Sequence, residues 1–90
     1  MDAEDVLASR LRIRIVKALT RAGELNVSEL VRRLGANYTV MSGHLRVLES
    51  EGILQRKMFG RVRLYRINEG SVKAKALLSL LEVWERSAEQ

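Results

Sequence analysis

The side chains able to do chemistry are few, and most of them gather in one stretch. His44 is the only histidine among 90 residues, and there is no cysteine. A general base needs a nucleophile or an orienting carboxylate within reach, and nothing in the spacing around His44 supplies one. The chain has no phosphate-cradling loop, no Gly-rich nucleotide fingerprint and no paired-carboxylate motif. It therefore offers no catalytic set and no cofactor site. The lack of thiols also excludes disulfides and thiolate metal centres. What remains is hydrogen bonding and charge. Tyr38, Thr39, Ser42 and Arg46 fall on one side of a helical pattern whose other side is Met41, Leu45 and Leu48. Thr and Ser can donate or accept at base edges or phosphates. Tyr can donate to phosphate, and Arg can take phosphate or guanine. His44 suits either helix packing or a phosphate bond. A second set, Arg56, Lys57, Arg61 and Arg63, follows shortly after.

The charge is localised with these residues. Residues 1–30 carry five basic and five acidic side chains. Residues 31–68 carry eight basic (Arg32, Arg33, Arg46, Arg56, Lys57, Arg61, Arg63, Arg66) against Glu49 and Glu51, a net +6. Residues 69–90 carry three basic and four acidic, a net −1. A local excess of this kind is the electrostatic footprint of a polyanion partner.

The elements that position this chemistry follow from periodicity and punctuation. A helix over about 38–51 begins after Asn37, whose side chain can cap the first turn, and stops at Gly52. Before it, Val27, Leu30, Val31 and Leu34 mark a short helix. Asn26 and Glu29 resemble a capping box at its start, and Arg32 and Arg33 can complement its C-terminal dipole. Gly35-Ala36-Asn37 joins the two helices by a tight turn, the helix-turn-helix pattern. After Gly52 the period shortens. Ile53, Leu54, Arg56 and Met58, then Val62, Leu64, Tyr65 and Ile67, read as two strands about Phe59-Gly60, a hairpin over about 53–67. Arg61, beside Gly60 at the tip, is the best placed for a phosphate or minor-groove contact, and Arg63 follows it. Arg66 is an exposed strand residue or an ion-pair partner.

The ends of the chain read as longer helices, about 4–22 and 70–88. In the first, Leu7, Leu11, Ile15 and Leu19 form one apolar stripe, and Val6, Ile13 and Val16 a second. In the last, Val72, Ala76, Leu77, Leu78, Leu80, Leu81, Val83 and Trp84 leave little polar surface. One core needs only one stripe, so the second faces are expected to meet a partner chain. Val6, Ile13, Val16, Leu77, Leu80, Leu81 and Trp84 are the expected dimer interface. The fold class is mainly α with a small β-hairpin. Residues 1–90 form one winged helix-turn-helix domain in the order helix, helix, helix, hairpin, helix. Ninety residues bury a modest core, which pairing would enlarge.

LNVSELVRRLG (25–35), Ser42-x-His44-Leu45, RVLESEGIL (46–54) and GRVRLYRI (60–67) together resemble the winged helix-turn-helix regulators of the ArsR-like family, over nearly the whole chain. The resemblance implies a symmetric dimer built on the first and last helices. It implies recognition helices in successive major grooves, and repression by occupying a promoter. Two features depart from the family pattern. Many members sense metals through Cys, His, Asp or Glu. Here Cys is absent, and Glu82, Glu85 and Glu89 make a poor soft-metal site, so no metal is expected. Gly43 stands where members commonly carry a larger polar or basic residue. Either it allows close backbone approach to DNA or it removes a base reader.

The function expected is a dimeric, sequence-specific DNA-binding transcriptional regulator that represses. Its partner is double-stranded DNA, touched through Asn37, Tyr38, Thr39, Ser42, Gly43, His44, Arg46, Arg56, Lys57, Arg61 and Arg63. A winged-helix protein-interaction module, or a non-specific architectural DNA binder, would use the same basic patch. No residue names an effector. The acidic start MDAEDVLASR lacks a signal peptide's pattern and no apolar run could span a membrane, so the expected location is the cytoplasm.

Overall fold

The computed structural model describes residues 1–88 and contains five helices and three strands among them. In chain order these are α1 (Ala3–Leu7), α2 (Arg10–Ala22), β1 (Glu24–Asn26), α3 (Val27–Leu34), α4 (Tyr38–Ser50), β2 (Leu54–Phe59), β3 (Val62–Ile67) and α5 (Val72–Ala88).

The helix expected over about 4–22 is two helices. Ser9 takes an extended conformation (φ −112°, ψ 118°), and its hydroxyl accepts from the Arg12 N–H at 3.1 Å, starting a new helix. The side chain of Arg12 then turns back to the end of α1. Its Nε donates to the Val6 carbonyl at 2.8 Å and its Nη2 to the Asp5 carbonyl at 2.6 Å. A residue that caps one helix while its neighbour starts the next makes the break a built corner, and apolar periodicity ran on through it unmarked.

The corner also accounts for the two apolar stripes. α2 lies at the centre of the molecule, packed against α1, α3, α4, β1 and β3. Ile15, Val16 and Leu19 are buried in the core, with Leu11 and Ile13 half-buried against it. Val6 and Leu77 are buried there too. Three residues expected at a partner interface, Val6, Val16 and Leu77, are therefore interior residues of their own chain. Ile13 and Leu81 are half-buried against the same core. Only Leu80 and Trp84 of that set stand free, Trp84 with 70% of its surface exposed.

The turn chemistry of the central helices is as their residues dictate. Asn26 Oδ1 accepts from the Glu29 N–H and Asn37 Oδ1 from the Val40 N–H, both at 2.8 Å. The capping box is one-sided, because the Glu29 carboxylate turns to Arg32 at 2.9 Å and Arg33 at 3.6 Å. At the far end of α4, Gly52 has φ +77°. Its N–H reaches the Glu49 carbonyl at 2.9 Å, and the Ile53 N–H reaches Leu48 at 3.0 Å. This paired closure satisfies two otherwise free carbonyls and needs a left-handed residue, which glycine supplies without a Cβ clash.

The hairpin belongs to a three-stranded antiparallel sheet in the order β1-β3-β2. Its third strand, β1, pairs Glu24 with Arg66, Leu25 with Tyr65 and Asn26 with Leu64. β2 and β3 pair from Leu54↔Ile67 to Phe59↔Val62, leaving Gly60-Arg61 as a two-residue turn. Asn68 ties the sheet to α4: its N–H donates to the Ile53 carbonyl and its Nδ2 to the Gly52 carbonyl, each at 2.9 Å.

Candidate nucleic-acid interface

α4 buries Met41, Leu45 and Leu48 against the core. Each fully buried side chain of this size is worth about 1.5–3 kcal/mol, so the roll of the helix about its axis is firmly set. With those residues inward, the outward stripe is Thr39, Gly43, Arg46 and Ser50, flanked by Val40. Arg46 has no hydrogen-bond or ion-pair partner among the described residues. Val40 is an exposed member of this face that hydropathy alone would place inside.

Ser42 was expected on this face and is not there. It is only 9% exposed, turned toward the sheet. Its neighbour from β3 is Arg63, whose Nη2 donates to Ser42 Oγ at 3.2 Å and to the Tyr38 hydroxyl oxygen at 2.7 Å. The Arg63 guanidinium also lies 5.7 Å from the centre of the Tyr38 ring, within cation–π range. The Tyr38 bond holds Arg63 still more firmly protonated than usual. Because the Tyr38 oxygen accepts from Arg63, its own O–H remains free to donate outward. Arg63 thus acts first as a strut between wing and helix, and it orients a donor.

Two more of the expected contact residues are also engaged within the chain. Arg56 Nε lies 3.4 Å from the Glu49 carboxylate of α4. His44 Nδ1 accepts from Arg12 Nη1 at 2.9 Å, which places its proton on Nε2. Burial first, and the Arg12 charge second, lower the pKa of His44 below its ordinary value of about 6.5. The imidazole is a neutral acceptor that latches α4 to the α1–α2 corner. Asn37 is committed through Oδ1 to capping α4. Nothing in the sequence pointed to Arg12, because its partners lie on two other elements.

Exposed on this side are Tyr38, Thr39, Gly43 and Arg46 of α4 and Arg61 at the hairpin tip, with Arg56 exposed and Arg63 half-buried where they brace the hairpin against α4; Lys57 is exposed on the other face of the hairpin, beside Arg66 and Glu24. Between Gly52 and Asn68 there is no acidic side chain. The arrangement presents an exposed helix beside a cationic hairpin, with the hairpin braced against the helix by Arg56 and Arg63. Such a surface can take a helix-wide groove lined with phosphates. Among the described residues, no group of three His, Cys, Asp or Glu is placed to hold a metal ion. No described helix is long and apolar enough to cross a membrane. Glu89, considered with Glu82 and Glu85 as a candidate ligand, lies outside the described residues.

Comparison with known proteins gives the same assignment. Residues 9–56 match the family model described as bacterial regulatory protein, arsR family. Among solved structures, the chain is similar to the antimony-specific transcriptional repressor AntR, at 31% identity over 96% of this chain and 77% of that one, with a TM-score of 0.75. It is similar to HlyU from Vibrio cholerae, at 28% identity over 89% and 84%, with a TM-score of 0.76. It is also similar to the homodimeric winged helix-turn-helix DNA-binding domain of Mb0332 from Mycobacterium bovis, at 27% identity over 91% and 73%, with a TM-score of 0.75. With its helix-turn-helix, its braced basic wing and a family match across more than half its length, the chain belongs to the ArsR family of winged helix-turn-helix transcriptional regulators.

Proposed function

We propose that this regulator is a homodimeric, sequence-specific DNA-binding repressor and not an enzyme, acting in the cytoplasm. α4 enters the major groove with Thr39, Gly43 and Arg46 toward the bases, and Tyr38 donates to a phosphate. Lys57 and Arg61 follow the adjacent backbone or minor groove. The observation that carries this reading is the pairing of an outward helix stripe with a wing free of carboxylates, on the part of the chain that holds a net +6. The dimer reading is supported by the free Leu80, Val83 and Trp84 of α5, and by an apolar cleft of about 260 Å³ between α1 and α5, lined by Leu7, Ala76 and Leu80 among others. The homodimeric Mb0332 domain and the repressor AntR point the same way.

Selection of bound duplexes from a random pool at near-physiological salt tests the proposal. The expected product is a pseudo-palindrome with half-sites about one helical turn apart. Binding to it should fall steeply as salt rises, since phosphate contacts release counterions. Recovery of unrelated sequences bound equally well would replace specific regulation with architectural binding. Failure to bind any duplex would leave the protein-interaction reading.

A further inference from the structure

The wing tip is not only cationic. Phe59, the sole phenylalanine, is 73% exposed on the last paired rung, opposite Val62, which is 44% exposed. Met58, one position back, is 52% exposed. Opposed residues share a face of the sheet, so Phe59 and Val62 project together on one side and Met58 with Arg63 on the other. Three large apolar side chains therefore crown a two-residue turn. Lys57 and Arg61 flank them, and no carboxylate occurs from Gly52 to Asn68. A solubilising hairpin would carry polar residues at its turn. Phe59 and Val62, side by side on one face of a projecting tip, form an exposed apolar pair that a partner can cover, and the flanking charge selects an anionic one.

We propose that Phe59 is an apolar wedge that this wing inserts into the DNA minor groove, seated against sugar walls and base edges while Arg61 and Lys57 hold the flanking phosphates. The proposal rests on the DNA-binding reading above and adds a mode to it. The minor groove is narrow enough to clasp a hairpin tip, and its deoxyribose walls are apolar. Apolar side chains that enter it partly unstack a base step and bend the duplex. Arg63 is the part of the chain that makes insertion effective. By bonding Tyr38 and Ser42 it fixes the wing's angle to α4, so a tip that enters one groove is in register with a helix in the other. The wedge contributes affinity that salt does not screen, whereas Arg61 contributes affinity that salt does.

That difference is the test. Wild type, Phe59→Ala and Arg61→Ala are titrated onto the selected duplex across a salt series, with donor and acceptor dyes on the duplex ends to report bending. Phe59→Ala is expected to lose about tenfold or more in affinity at every salt concentration, as removal of one buried apolar side chain implies. Its salt slope should equal wild type, and the dye-reported bend should shrink. Arg61→Ala should lower the slope by about one and keep the bend. Phe59→Leu should restore part of the loss. Because Phe59 is exposed, thermal melts of these variants should match wild type. Wild-type binding with Phe59→Ala unchanged in affinity and bend would overturn the wedge while leaving the regulator intact. Tighter, Phe59-dependent binding to vesicles of anionic phospholipid than to duplex would overturn it in favour of a membrane surface. No duplex binding by wild type would remove the regulator reading itself, and the wedge with it.

Discussion

Gly43 lies on the outward face of α4, where a single methyl group can be tested. It sits within α4 with no positive φ, and a Cβ built there meets nothing within 4 Å. No turn and no internal packing calls for glycine, and it is exposed between Thr39 and Arg46. Gly43→Ala should therefore stabilise the fold by about 0.5–1 kcal/mol, seen as a higher melting temperature. In the proposed complex the same methyl group stands the helix off the groove floor, so duplex affinity should fall. Opposite signs in the two measurements identify a glycine kept for close approach; a rise in both would assign it no such role. Arg63→Lys is a second test at this scale. Lysine keeps the charge but is shorter and lacks the planar guanidinium whose Nη2 reaches both Tyr38 and Ser42 and whose face lies by the Tyr38 ring. Affinity should drop while the salt slope stays near wild type, because a strut is lost and not a phosphate contact.

At the scale of elements, three arginines from three places hold α4. Arg12 bonds His44 from α2, Arg56 pairs with Glu49 from β2, and Arg63 bonds Tyr38 and Ser42 from β3. The exposed Arg56–Glu49 pair contributes little to stability, as solvent-facing pairs do. The His44 latch should make stability depend on pH. Its pKa is lowered in the folded chain, so the unfolded state binds the proton more readily. The latch's contribution is complete above the unfolded value of about 6.5 and is lost as pH falls through the lower folded value. Melting temperature should decline between pH 8 and pH 5 more in wild type than in His44→Gln, which keeps an acceptor for Arg12 but does not titrate. Equal declines in the two proteins would show that His44 carries no such linkage. Glu51, held by Lys73 and the chain's amino terminus, and Glu85, held by Lys17, titrate below the ordinary carboxylate value in both proteins and cancel in the comparison.

The whole molecule measures 42 × 24 × 22 Å and keeps its core beneath α4 and the sheet. α5 buries only Ala74 and Leu77, with Leu78 and Leu81 half-buried, and leaves Leu80, Val83 and Trp84 in the open. A helix so lightly covered by its own chain is where a second copy can add apolar burial. Trp84→Glu should shift sedimentation from dimer to monomer without disturbing the core, since Trp84 is not part of it. Affinity for a two-half-site duplex should collapse toward that for a single half-site. A monomeric wild type, or a variant that remains dimeric, would move the interface elsewhere.

What the sequence by itself determined was everything written in local pattern. The capped helices, their glycine stops, the helix-turn-helix, the wing and the placement of positive charge all depend on neighbours a few residues apart, and so does the family resemblance. The tertiary structure decided what depends on residues distant in the chain. The apolar stripes of residues 4–22 looked like surface for a partner because periodicity counts apolar faces but not what covers them. Packed at the centre, α2 buries Ile15, Val16 and Leu19 in its own core and half-buries Leu11 and Ile13, while Leu7 of α1 stays exposed. The serine at 42 has the composition of a reading residue, yet the roll of α4 turned it inward beneath Arg63. That Arg56, Arg63 and His44 are engaged within the chain was not legible, because a sequence shows a side chain's charge and not its partner. Their partners lie 7, 25 and 32 positions away, as Glu49, Tyr38 and Arg12. The helix α4 was legible from its own residues; which of them face outward was fixed only when the core and the hairpin closed around it.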